Sequence, residues 1–120
     1  MNNPMVVLRY RDGGTERVTL AGIDTDAQVV RVARDEGGDA EVPFSSIKAV
    51  FFPRSTPEDA SETPLGSELA VEFADGEIIR GTALYNPERN GFYLFPQDRS
   101  KNDRIFVVNS AIVSIEVERL

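Results

Sequence analysis

Cysteine, histidine and tryptophan are all missing from this chain. Without cysteine there is no disulfide framework, no thiol nucleophile and no thiolate zinc site. Without histidine the chain lacks the commonest general base near neutral pH and the commonest metal ligand. Long apolar runs are also lacking: no stretch reaches the roughly eighteen residues of a membrane span. The opening residues, MNNPMVVLRYRDGG, carry no charged segment followed by an apolar stretch and a small-residue cleavage site, so no secretory signal is expected. These absences describe a soluble, cytoplasmic protein with no cofactor, held together by packing alone.

Positive charge is in short supply as well. Thirteen Lys and Arg stand against twenty Asp and Glu, for a net charge of −7. The basic residues are spread along the chain beside acidic ones, as in RVARDE and PERN. A surface of this kind is solvated and repels a phosphate backbone, which disfavours nucleic acid as a partner. The 120 residues, 41% of them hydrophobic, suit one ordinary domain or two very small units that share a core.

What is present is alternation with a period of two. In MVVLRYR, Val6, Leu8 and Tyr10 share a face, and in ERVTLAG so do Val18 and Leu20. AQVVRVAR, IKAVFF and AIVSIEVERL are rich in strand formers, and Asp, Gly, Asn and Pro separate the runs. No segment has a convincing helical period. The fold class is all-β.

The alternation is also written twice. RYRDGGTERVTL returns as EFADGEIIRGTAL at an offset of 63 (75 − 12), matching Leu8 with Val71, Tyr10 with Phe73, Arg17 with Arg80, Val30 with Tyr93 and Val32 with Phe95. After a variable loop, EVPFSSIKAVFF matches FVVNSAIVSIEV at an offset of 65 (110 − 45). A shared Asp-Gly turn alone would mean little, since hairpins favour it. A co-linear match over five segments indicates an internal duplication. Each unit reads as five strands, at about 5–11, 15–21, 28–34, 40–44 and 47–53, then 68–74, 77–85, 91–96, 104–109 and 112–118. A one-turn break, PFSS or VNSA, precedes each last strand, with a serine able to cap it. The division is thus a first unit at 1–53, a Pro-rich acidic linker at 54–67 and a second unit at 68–120.

Five short strands with an Asp-Gly first turn and a one-turn break before the last strand resemble the SH3-like and Sm-like barrels, and VPFSSIKAVFF resembles the closing strand pair of an Sm-like unit. Over nearly its full length, through RYRDG, EVPFSSIKAVFF, FADGEIIRGT and NGFYLFPQDRSKNDRIFVV, the chain is similar to a family of uncharacterised bacterial domains. The first resemblance implies two tandem five-stranded barrel units packed together or joined through edge strands. It also implies RNA binding through basic loops, but the matching loops here, GIDTDAQ and DEGGDAE, are acidic.

Three acidic clusters, Asp24 with Asp26, Asp35 and Glu36 with Asp39, and Glu58 and Asp59 with Glu62, lack the twelve-residue spacing of a calcium loop and read as solvated loops. No carboxylate pair sits among stacking aromatics, so neither a metal site nor an enzyme is expected. A PilZ-type cyclic-dinucleotide site would need an Arg-x-x-x-Arg run, and RVAR has the wrong spacing. Arg17 and Arg80 read as structural, pairing with carboxylates such as Glu16 or Glu72.

The unusual stretch is YNPERNGFYLFPQDRSKNDR, dense in aromatics, Arg and Asn. Its candidate partner-binding residues are Tyr85, Asn86, Arg89, Asn90, Tyr93, Arg99, Lys101 and Arg104. They suit recognition of another protein, with edge-strand addition as one natural mode. The reading is a non-catalytic protein-binding or regulatory module, with a homodimer as an open alternative. The other reading is an Sm-like nucleic-acid or nucleotide-binding domain.

Overall fold

A computed structural model of the chain describes residues 4–34, 38–53, 66–85, 88–97 and 102–119, with 118 and 119 as backbone only. The strands are β1 (Met5–Tyr10), β2 (Thr15–Asp24), β3 (Val29–Arg34), β4 (Gly38–Pro43), β5 (Ile47–Pro53), β6 (Ser67–Phe73), β7 (Ile78–Ala83), β8 (Gly91–Pro96), β9 (Asn102–Val108) and β10 (Ile112–Arg119). All ten expected strands are present, and the described residues contain no α-helix. Most of the expected linker, residues 54–65, lies outside the described residues.

The repeated Asp-Gly turns have the same construction. In the first, Gly13 takes φ 98° and donates its N–H to the Tyr10 carbonyl, while Asp12 Oδ1 accepts the N–H of Gly14 at 2.8 Å. In the second, Gly76 takes φ 91° and donates to Phe73, and Asp75 Oδ1 accepts the N–H of Glu77 at 3.0 Å. Glycine supplies the positive φ and aspartate holds the turn from inside.

One-turn 3₁₀ helices, Phe44–Ser46 and Asn109–Ala111, precede β5 and β10 as expected. In the first, the Ser46 hydroxyl closes the turn by donating to the Pro43 carbonyl at 2.9 Å, while neither has a side-chain bond from its N-cap residue. Arg11 fastens the two turns to each other: its guanidinium donates to the Phe44 and Ile47 carbonyls and, at 2.6 Å, to Ser110 Oγ.

All ten strands form one antiparallel sheet in the order β10-β6-β7-β8-β9-β5-β1-β2-β3-β4. Each half has the same internal order, and the halves meet where β5 pairs with β9. The registers recur. Val6 opposite Val18 becomes Leu69 opposite Gly81, and Leu8 opposite Val50 becomes Val71 opposite Ile115. One expected alignment shifts by a residue. Val30 faces Val42 as Phe92 faces Val107, so β3 and β8 correspond at 62 (92 − 30), and Val30 matches Phe92 rather than Tyr93. The second half is therefore one residue shorter before that strand (62 − 63) and three residues longer after it (65 − 62).

The β5–β9 pair explains why IKAVFF is apolar without alternation. Residues directly opposite each other lie on one face. On one face Val50 sits between Leu8 and Phe106, and the Phe106 ring stands 5.7 Å from Phe44, within the first half. On the other face Phe51 and Ala49 oppose Ile105 and Val107, which in turn oppose Leu94 and Phe92 of the second half. Each half thus lends a strand to the other's core, and both strands are buried on two sides. Burying Phe51 and Phe52 alone is worth roughly 3–6 kcal/mol together. That is a large fraction of what so small a unit has available.

Residues 1–53 produced alone would expose Ala49 and Phe51. They are expected to give a collapsed chain without dispersed amide resonances, while the full chain unfolds in urea as one cooperative transition. Two resolved transitions, or a well-dispersed spectrum of the fragment, would show that the halves fold independently.

Candidate functional site

The outer surface of β8 and β9 differs sharply in chemistry from its counterpart in the first half. Arg31 on β3 faces Glu41 on β4, and their side chains form a solvated ion pair of 3.0 Å. At the corresponding positions Tyr93 faces Phe106, edge-on with ring centroids 5.3 Å apart. Phe106 needs to be apolar because the first half's core covers it. Tyr93 lies one strand further out and is 42% exposed.

Arg104 completes the patch. Its guanidinium lies 4.4 Å from the centroid of Phe52 and 5.5 Å from that of Tyr93, and the two rings are 5.9 Å apart. Arg104 Nη1 also donates to Asp103 Oδ2 at 3.1 Å, which limits its freedom to leave the rings. Burial pushes the Tyr93 hydroxyl above its usual range, with Arg104 pulling the other way, so the phenol is a neutral donor at physiological pH. A half-exposed tyrosine beside an arginine held by aromatic rings is the composition of interaction hot spots, because both groups offer large contact area with little rotamer freedom left to lose.

Of the eight residues singled out in the sequence, Tyr93 and Arg104 are together in this patch. Tyr85 packs edge-on against Phe92 at 5.2 Å, and Phe92 points to the opposite face of β8 from Tyr93. Asn90 is structural, since its Nδ2 donates to the Thr25 carbonyl at 2.6 Å and its own carbonyl accepts the N–H of Asn109. Arg89 is exposed, and its carbonyl accepts from Asn109 Nδ2. Asn86, Arg99 and Lys101 lie outside the described residues. Phe52 was missed. It reaches the patch only because β5 pairs with β9, a contact without a local sequence signal.

A second cluster was also missed. Lys48, 5% exposed, donates to Asp75 Oδ2 at 2.6 Å and to Glu77 Oε1 at 2.5 Å, and Arg9 donates to both oxygens of Glu77. Arg9 also lies over Phe51, and Lys48 over Phe73. The two Asp-Gly turns line the same open groove around these charges. The available signal was the lysine interrupting an apolar strand, which demands carboxylate partners. Both acids are occupied by cations, so the cluster fastens the second turn to β5.

Two further carboxylates are also committed. Glu16 pairs with Arg34 at 2.7 Å and accepts from Tyr10, rather than pairing with Arg17. Asp24 accepts the N–H groups of Asp26 and Ala27 and pairs with Arg31, so it shapes a turn. Among the described residues no group of three or more His, Cys, Asp or Glu is placed to hold a metal ion. Nor is any helix among them long and apolar enough to cross a membrane.

The fastener gives stability a definite pH dependence. The hydrogen bond from Lys48, helped by the Glu77 N–H, holds Asp75 below its ordinary 3.8. Burial opposes the charge on Lys48, but bonds to Asp75 and Glu77 outweigh it and raise the ammonium above 10.5. The contribution is therefore complete between about pH 5 and 10. It is lost as pH falls through the depressed value of Asp75 or rises through the raised value of Lys48. Urea midpoints across pH should show that Asp75→Asn is less stable at neutrality and has a flatter acid limb. Lys48→Met should cost about 1–3 kcal/mol at pH 7, since the two acids can regain water. An acid limb unchanged by Asp75→Asn would remove this assignment.

No curated protein and no solved structure matches the chain significantly. A family model described as a family of unknown function (DUF6982) matches residues 2–119. The match takes in both halves and the junction between them, and the protein is therefore a member of that family.

Proposed function

We propose that this protein is a non-catalytic protein-binding or regulatory module of the bacterial cytoplasm, and that Tyr93 and Arg104, backed by Phe52, form its docking surface. The observation that carries this reading is the exchange at one register position. A solvated Arg31–Glu41 pair in the first half is replaced by Tyr93 against Phe106 in the second, and the aromatic surface continues outward past the point where the fold covers it. A tyrosine held in place by an arginine and a second ring is already ordered for contact. The absence of histidine and cysteine in the whole sequence supports a role in binding rather than catalysis.

The same reading takes the halves as a tandem duplication of an SH3-like or Sm-like unit, with 54–67 as the linker. Support comes from the identical strand order of the halves and from registers that repeat at fixed offsets.

A photo-crosslinking phenylalanine analogue placed at position 93 in producing cells should yield a discrete protein adduct. Arg104→Ala should reduce its yield several-fold. The same analogue at the exposed Arg17 position should not give that adduct. No adduct at position 93, or the same set of adducts from both positions, would refute the docking surface. RNA affinity that is measurable at low salt and falls steeply as salt rises would favour the nucleic-acid alternative.

A further inference from the structure

Among the described residues two strands, β10 and β4, have a hydrogen-bonded neighbour on one side only, because they end the sheet. β10 holds in the second half the place that β5 holds in the first: Ile115 faces Val71 as Val50 faces Leu8. β5 accepts β9 along its other side, and no strand among the described residues pairs with the equivalent side of β10. Carrying the offset of 65 along the strand, Lys48 becomes Val113, Phe51 becomes Glu116 and Phe52 becomes Val117. Val113 and Val117 are 58% and 51% exposed. β10 is therefore a long edge strand with exposed valines around one exposed glutamate, and a strand edge of this kind templates pairing with another chain.

We propose that β10 accepts an antiparallel extended segment of a partner protein, in the register that β9 takes on β5. Inside the chain, Phe106 lies opposite Val50, Ile105 opposite Phe51 and Arg104 opposite Phe52. Transferred to β10, the partner's segment presents an apolar side chain to Ile115, a basic one to Glu116 and an apolar or long-stemmed one to Val117. The acceptor belongs to a chain of net charge −7, which favours a basic segment for encounter as well as for the Glu116 position. Backbone hydrogen bonds supply affinity and the alternating side chains supply selectivity.

A second copy of this chain docking through its β4 is the poorer occupant. Its free edge β4 in the same register would set Glu41 against Ile115 and Asp39 against Val117, and would leave Glu116 facing Ala40. Two carboxylates would be pressed onto apolar side chains between molecules that already repel each other. The inference rests on the protein-binding reading but uses a different surface, so the two stand or fall by different measurements.

Two capped peptides serve as probes: the segment 102–108, NDRIFVV, carrying either Ile105→Lys or Ile105→Glu. Each is titrated into the full-length protein by fluorescence anisotropy, with amide shifts mapped by NMR. The lysine peptide should bind about tenfold more tightly than the glutamate peptide, with shifts concentrated on β10. Glu116→Lys should reverse the preference, and Glu116→Gln should abolish it. Equal binding of both peptides, no binding, or shifts centred on Tyr93 and Arg104 would overturn the proposal. Concentration-dependent oligomers of the protein alone, with both β4 and β10 protected from exchange, would overturn it in favour of a second copy. A productive crosslink at position 93 with no response at β10 leaves the docking surface standing and removes this edge alone.

Discussion

The structure depends on the pairing of β5 with β9. A unit of about fifty residues buries too little apolar surface to offset the entropy of ordering its backbone. Here neither half has to do so alone, because its boundary strand serves as the lid of the other half's core. Val50 and Phe106 fill the first core while Phe51 and Ile105 fill the second, from adjacent positions on the same two strands. Two-sided burial also fixes register firmly. A one-residue slip of β5 against β9 would exchange the faces and move Phe51 and Val50 into the wrong cores. Hydrophobic contact dominates this junction. The charges of Lys48, Arg9, Asp75 and Glu77 sit at its margin, where they orient the second Asp-Gly turn relative to β5.

Much of this was legible in the sequence because it is local. Alternation, the two Asp-Gly turns and the offsets of 63 and 65 located all ten strands, and the run IKAVFF, read as a strand, is buried on both faces. The one-residue error at β3 and β8 came from strands in which neighbouring positions are both apolar. Val29-Val30 and Phe92-Tyr93 do not reveal which member faces inward, and the cross-strand partners Val42 and Val107 are needed to decide. The fastening of the one-turn helices by Arg11 was illegible for a different reason. Arg11, more than thirty residues away in sequence, satisfies the carbonyls of the first one-turn helix, and chain proximity gives no hint of that.

The candidate site was less legible. Density of aromatic, Arg and Asn residues drew attention to Tyr85–Arg104, and within it the structure separates roles that composition treats alike. Asn90 closes a loop onto Thr25, Tyr85 leans on Phe92, and Tyr93 and Arg104 meet on the opposite face. What unites the last two is Phe52, supplied from the first half by the pairing of β5 with β9. Lys48 could have been noticed, since an ammonium within a buried strand always requires an answer elsewhere. Its partners Asp75 and Glu77 could not have been chosen from among twenty acidic residues without the topology.

The repeated architecture also separates what the fold requires from what it leaves free. Corresponding inward positions stay apolar in both halves: Val42 with Val107, Leu8 with Val71, Val32 with Leu94. Corresponding outward positions do not, and they change according to what covers them. Glu41 becomes Phe106 where the first core lies above it, and Phe51 becomes Glu116 where β9 has no counterpart. Both exchanges follow from burial, since a carboxylate is strongly destabilising under the first core and a phenylalanine is hazardous on an open edge. Tyr93 and Val117 do not follow that rule. Tyr93 is aromatic at an outward position that stays 42% exposed, and Val117, opposite Leu69 on the core-facing side of β10, stays 51% exposed with no strand beyond it among the described residues. On the proposed reading, their missing neighbours belong to another molecule.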